Sequence, residues 1–242
     1  MYRRNILPKL GAALADTRVV LLNGARQVGK STLARELAQQ RGGQYLTLDD
    51  PTIAALARSD PTALVNGSGG FTVIDEAQAA PALFPAIKRE VDRHPQPGRF
   101  LLTGSANVFM LPAVAESLAG RMEVLTLEPL SQAEVESSPH NFIDALFGTA
   151  PWTRRTVPTD RADLLRRLTS SGFPEALARA EPQRRDAWFG AYLTSLLQRD
   201  VRDYASFALL VNISSGYPGT KEWVQQVNSR FHLPMVSGCT AV

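Results

Sequence analysis

Lys30 and Ser31 follow two glycines, Gly24 and Gly29, in the stretch GARQVGKS, and the spacing is G-x-x-x-x-G-K-[ST]. That pattern suits a loop that wraps a phosphate chain with its backbone N–H groups pointing inward. Glycine at positions 24 and 29 lets the backbone approach without a Cβ in the way. Ala25, Arg26, Gln27 and Val28 would line the loop. A helix opening at Lys30 would aim its positive dipole end at the same phosphates, with Thr32 in its first turn. Lys30 would bring a mobile charge to the β- and γ-phosphates, and Ser31 a hydroxyl ligand for Mg²⁺. Arg26 has two readings, a phosphate contact or a surface ion pair.

Binding a phosphate chain is not breaking it. Hydrolysis also needs a carboxylate that orients the metal and a group that positions the attacking water. FTVIDE, Phe71 to Glu76, offers both. Asp75 ends an apolar run and could hold a Mg²⁺-bound water, while Glu76 could polarise the attacking water. Two adjacent carboxylates at a buried strand end are costly unless a metal or partner neutralises them. LLTGSAN supplies Thr103, Ser105 and Asn107 as groups that could sense the γ-phosphate, with Ser105 favoured. In LAGRMEVL, Arg121 precedes another apolar run. Its guanidinium suits a developing phosphoryl charge, in cis or from a neighbouring subunit, and suits a surface ion pair nearly as well.

The surrounding elements give these residues their place. RVVLLN (18–23), YLTLD (45–49), FTVIDE (71–76), RFLLTGS (99–105) and EVLTL (123–127) read as strands, several as continuous apolar runs buried on both faces. Helical patterns alternate with them at 30–40 and 82–93. Asp50 before Pro51 reads as an N-cap with a first-turn proline, and Ser131 with Glu134 as a capping box. Strands alternating with helices imply right-handed crossovers and a mostly parallel sheet. Ligands then gather at the C-terminal strand ends.

After about Thr149 the strand signals stop. A linker-like stretch leads to helices near 161–170 and 183–204. In the second, Phe189, Leu193, Leu197 and Val201 form an apolar stripe that Trp188, Tyr192 and Leu196 widen, which predicts a face packed on a core. The expected organisation is a phosphate-loop core over 1–149, a helical start of a second domain over 150–206, and an atypical tail over 207–242.

The chain has 242 residues, 44% hydrophobic and 20% charged, as expected of a soluble globular protein. One cysteine, Cys239, excludes an intramolecular disulfide framework and fits a reducing cytoplasm. No apolar run is long enough for a membrane helix. The net charge of +3 mildly favours acidic partners. His94, His140 and His232 are far apart and lack the spacing of zinc ligands.

Taken together, GARQVGKST, VIDEAQ, LLTGSAN, LAGRMEVLTLEPLS, SGFPEAL and YLTSLLQRDVRDYA resemble a family of prokaryotic ATPases of the AAA+ superfamily, in which an ATPase core precedes a domain of unknown function. The resemblance runs from about Met1 to Tyr204. It implies a five-stranded parallel sheet of order 5-1-4-3-2, ATP and Mg²⁺ as ligands, Lys30 and Ser31 in the first Walker motif, and Asp75 and Glu76 in the second. Homo-oligomers are common among such relatives. From about Phe207 the resemblance ends, which suggests truncation or an altered reading frame.

Two functions of different class follow as expectations. One is Mg²⁺-dependent ATP hydrolysis coupled to a conformational change in the second domain. The other is an ATP-dependent binding switch with little turnover, on a protein client or on DNA. Arg154, Arg155, Arg161, Arg166, Arg167, Arg184 and Arg185 would then supply the contacts to DNA phosphates. A folded chain that binds ATP and does little else is the plainest outcome.

Overall fold

The structure is a computed structural model that describes residues 2–67, 69–105, 117–137, 147 and 160–203. Its sheet comprises β1 (Val19–Asn23), β2 (Gln44–Thr47), β3 (Thr72–Asp75), β4 (Phe100–Gly104) and β5 (Met122–Thr126). The strand order is β2-β3-β4-β1-β5, and the paired strands are parallel. Read from the other edge this is the expected 5-1-4-3-2 order.

Successive side chains of a strand point to opposite faces, and here both faces are covered. Val19, Leu21, Ile74, Phe100 and Leu102 face one apolar cluster. Against them pack α3 (Pro51–Ser59), α4 (Pro61–Asn66) and α5 (Leu83–Arg93). Val20, Leu22, Val73 and Leu101 face the other cluster, covered by α1 (Leu7–Asp16) and α2 (Lys30–Gln40). This two-sided burial is why the interior strands read as continuous apolar runs. On α5, Phe84, Ile87 and Val91 recur at helical spacing and are fully buried. Each such side chain stabilises the layer by about 1.5–3 kcal/mol.

Local signals set the element ends. The Asp50 carboxylate accepts the N–H of Thr52 at 2.7 Å, with Pro51 in the first turn. Ser131 and Glu134 form the capping box of α6 (Gln132–Val135). β2 stops at Thr47, short of the expected Asp49, because the Asp50 N–H turns back to the Thr47 carbonyl at 3.2 Å. Helix α1 was not anticipated, since its first turn has neither an acidic residue nor a capping side chain.

The chain divides into two compact units between Glu181 and Pro182. In the first unit, α7 (Arg161–Ser170) and α8 (Pro174–Leu177) follow the sheet. The Gly172 carbonyl between them accepts the Leu130 N–H at 2.7 Å. A Cβ on Gly172 would lie 2.2 Å from the Leu130 carbonyl oxygen, so only glycine fits. The second unit contains α9 (Pro182–Asp203), and of the stripe expected on it the side chains of Leu197 and Val201 lie outside the described residues. None of its described side chains is fully buried, and Leu193 is 56% exposed. Trp188 and Tyr192 stack on each other along the helix, with ring centroids 5.2 Å apart. No helix among the described residues is long and apolar enough to cross a membrane.

Asn107, His140, Arg154, Arg155, His232, Cys239 and the whole of 207–242 lie outside the described residues.

Candidate active site

β1 ends at Asn23, whose side-chain oxygen accepts the N–H of Gly24 at 2.7 Å and turns the chain into the loop. At Gly24 the backbone passes so close to β5 that a Cβ would sit 2.4 Å from the Leu127 carbonyl oxygen. Gln27 and Gly29 both take positive φ, 62° and 98°. Gly29 is the residue before α2, so the N–H groups of the helix's first turn open towards the loop. Ser31 in that turn is half-buried and Thr32 is exposed.

Behind the loop lies Arg4, buried despite its charge. Its guanidinium donates to the Val28 carbonyl at 2.8 Å, to the Glu128 carbonyl at 2.5 Å and to Glu134 Oε1 at 3.2 Å. Glu134 also accepts the N–H groups of Asn5 at 2.6 Å and Ser131 at 2.8 Å. Burial alone would raise the Glu134 pKa, but these N–H groups and Arg4 outweigh it and hold the carboxyl below its usual range. The loop is thereby fastened to the segment that follows β5.

Lys30 is 5% exposed, and its Nζ donates to the carbonyls of Gly24 at 2.9 Å and Ala25 at 2.8 Å. Burial lowers its pKa, Glu76 and Asp75 act in the opposite direction, and Arg26 lowers it further. The structure therefore brings Arg26, Asp75 and Glu76 each within electrostatic reach of Lys30 at the C-terminal edge of the sheet.

At the end of β3, Asp75 is 2% exposed, and hydroxyls from the two neighbouring strands occupy both its oxygens. Thr103 of β4 donates to Oδ1, and Tyr45 of β2 donates to Oδ2 at 2.7 Å. Burial and then this bond to Asp75 push the Tyr45 phenol up to about 12. Arg35 lies over the Tyr45 ring, 4.8 Å from its centroid. Glu76 follows with φ 57°, in the left-handed region, and its N–H donates to the Thr103 hydroxyl at 3.1 Å. Its carboxylate accepts a hydrogen bond from the Gln78 amide.

Of the candidate sensing residues, Thr103 is fully buried and committed to Asp75 and Glu76. Ser105, the favoured one, stands half-buried just beyond β4 on the same edge. Arg121 does not join this group. Its carbonyl accepts the Val19 N–H, which puts it level with the start of β1 on the opposite edge. At about 3.3 Å per residue, the length of β1 sets it about 13 Å from the loop side. There it pairs with Asp92 through two bonds, of 2.5 and 2.9 Å. A role in cis is thus corrected by the direction of the strands.

Among the other arginines, Arg167 bonds Asp163 and Glu136, and Arg166 bonds Asp163. Tyr45, Gln78 and Arg4 were not anticipated from sequence, and Glu134 was read only as part of a capping box. Tyr45 lies two positions before Thr47, the register partner of Asp75. Strand alternation puts Tyr45 and Asp75 on one face, a signal that is legible only once the strand order is known.

Several known proteins are similar to this chain. A family model described as an AAA domain matches residues 16–136. Uncharacterised proteins of Mycobacterium bovis and Mycobacterium tuberculosis are each 33% identical over 199 residues. The match covers 82% of this chain, which spans only 40% of the length of those relatives. Among solved structures, AMPPCP-bound DnaA from Aquifex aeolicus aligns over 88% of this chain and 67% of its own, at 10% identity and TM-score 0.45. The RuvB Holliday junction branch migration motor of Thermotoga maritima aligns over 55% and 47%, at 20% identity and TM-score 0.39.

Proposed function

The chain belongs to the AAA domain family, and from that premise we propose that it binds and hydrolyses ATP with Mg²⁺, coupling turnover to movement of the part that follows the core. One observation carries this reading. The buried Lys30 ammonium, held by two loop carbonyls, lies within electrostatic reach of the Asp75 and Glu76 carboxylates. A buried cation facing two acids at the mouth of a helix-opening loop is arranged for a phosphate chain and a metal.

The residues divide the work as follows. Backbone N–H groups from Gly24 to Thr32 hold the phosphates, and Lys30 exchanges its carbonyl partners for phosphate oxygens. Mg²⁺ fits the donor set present, and when bound it neutralises charge on the β- and γ-oxygens. Ser31 would ligate it directly and Asp75 through water. This accords with there being, among the described residues, no cluster of three or more acidic, histidine or cysteine groups of the kind that grips a metal alone. Glu76 takes the proton of the attacking water, and Ser105 contacts the γ-phosphate. Arg121, remote from its own loop, would serve the site of a neighbouring copy.

Binding of a fluorescent ATP analogue to the parent and to Lys30→Ala tests the premise. The parent should bind with Mg²⁺, and the variant at least tenfold more weakly. Equal affinity would refute the role of the loop.

A further inference from the structure

Gln78 sits in the tight turn Ala77–Ala79 that directly follows Glu76. Three observations converge on it. Glu76 is held in a left-handed backbone conformation that few side-chain-bearing residues adopt. Gln78 Nε2 donates to Glu76 Oε2. Gln78 Oε1 is buried and has no hydrogen-bond partner among the described residues.

Buried polar atoms are nearly always satisfied, and an orphan in a native fold calls for an explanation. Turning the amide over would not remove the problem. It would point the oxygen at a carboxylate and leave the NH₂ group in the orphan's place. The orientation shown makes a charge-assisted hydrogen bond, the stronger kind, and leaves the carbonyl unpaired. The turn and the amide together fix where the Glu76 carboxylate stands. Neither the loop nor the metal-binding groups account for Gln78.

We propose that Gln78 is a positioning residue that sets the pose of the Glu76 carboxylate for attack on the γ-phosphate. This rests on the hydrolytic role given to Glu76 above. Among the described residues Gln78 makes no hydrogen bond to the phosphate loop or to Asp75, so its removal should slow turnover and spare binding.

The test combines turnover, affinity and spectroscopy. Gln78→Leu keeps the volume and loses the donor. Gln78→Asn keeps an amide but shortens its reach. Both should lower kcat at least tenfold while the Kd for ATP stays within twofold of the parent. A kcat within twofold of the parent, or equal losses in kcat and affinity, would overturn the proposal. A second readout needs no turnover and so separates this proposal from failure of the hydrolytic reading. In side-chain ¹⁵N-glutamine spectra, the amide signal missing from either Gln78 variant belongs to Gln78. That signal should shift when Glu76→Ala removes its acceptor. An unmoved signal would overturn the tether even if the parent hydrolyses nothing.

Discussion

The Thr103 hydroxyl donates to Asp75 Oδ1 and accepts the N–H of Glu76 at 3.1 Å, so one side chain of β4 fixes both acids at the end of β3. A hydroxyl can do this because it has a donor and acceptor lone pairs. Asp75 and Glu76, proposed to face the metal and to activate water, are therefore mechanically linked.

Thr103→Val keeps the shape and removes both bonds. A buried Asp75 oxygen and the Glu76 N–H lose their partner, at a cost of about 1–3 kcal/mol each. Urea unfolding should show this loss, with phosphate release slowed about tenfold or more. Thr103→Ser, which keeps both bonds, should retain most of the activity. Full activity in the valine variant would refute the linkage.

Arg121 stands on the far edge of the sheet, presented by Asp92. If it serves a neighbouring copy, Arg121→Ala should still bind ATP and lose about 10³-fold or more in turnover, the scale of an arginine supplied in trans. A mixture of Arg121→Ala and Glu76→Gln chains should regain activity, since mixed assemblies contain sites with an intact Glu76 and a donated Arg121. A mixture as inactive as its components would contradict donation between subunits.

The Arg4–Glu134 pair predicts a pH dependence. Glu134 titrates below its ordinary value of 4.5, so its folded form favours the charged state. Its contribution is complete above that ordinary value and is lost as pH falls towards the depressed one. Urea midpoints of the parent and Glu134→Gln should differ most near neutral pH and converge in acid. Removing one partner of a buried pair costs about 3–5 kcal/mol at neutrality. A gap that widens in acid would contradict the assigned charge state.

What the sequence disclosed followed from local patterns. The apolar runs gave the strands, and GARQVGKS with VIDEAQ pointed to Lys30, Ser31, Asp75 and Glu76 as candidates. Asp50 and the Ser131–Glu134 box announced their helices because capping acts over three residues. What stayed hidden depends on long-range geometry. Arg4 and Glu134 meet across 130 positions, and no local pattern links them. The two sides of Arg121, loop or far edge, are decided only by strand direction. The α9 stripe, whose Leu197 and Val201 side chains lie outside the described residues, stays an expectation, because apolar spacing gives a helix face but not what covers it.

The most direct test is Mg²⁺-dependent phosphate release from ATP by the full chain beside its Glu76→Gln variant, with ATP binding measured on both. The result predicted is turnover in the parent, and a variant that binds ATP equally while turnover falls about 10²- to 10⁴-fold, the scale of losing a positioned base. Equal phosphate release by both chains would contradict the assignment of Glu76 as the residue that activates water.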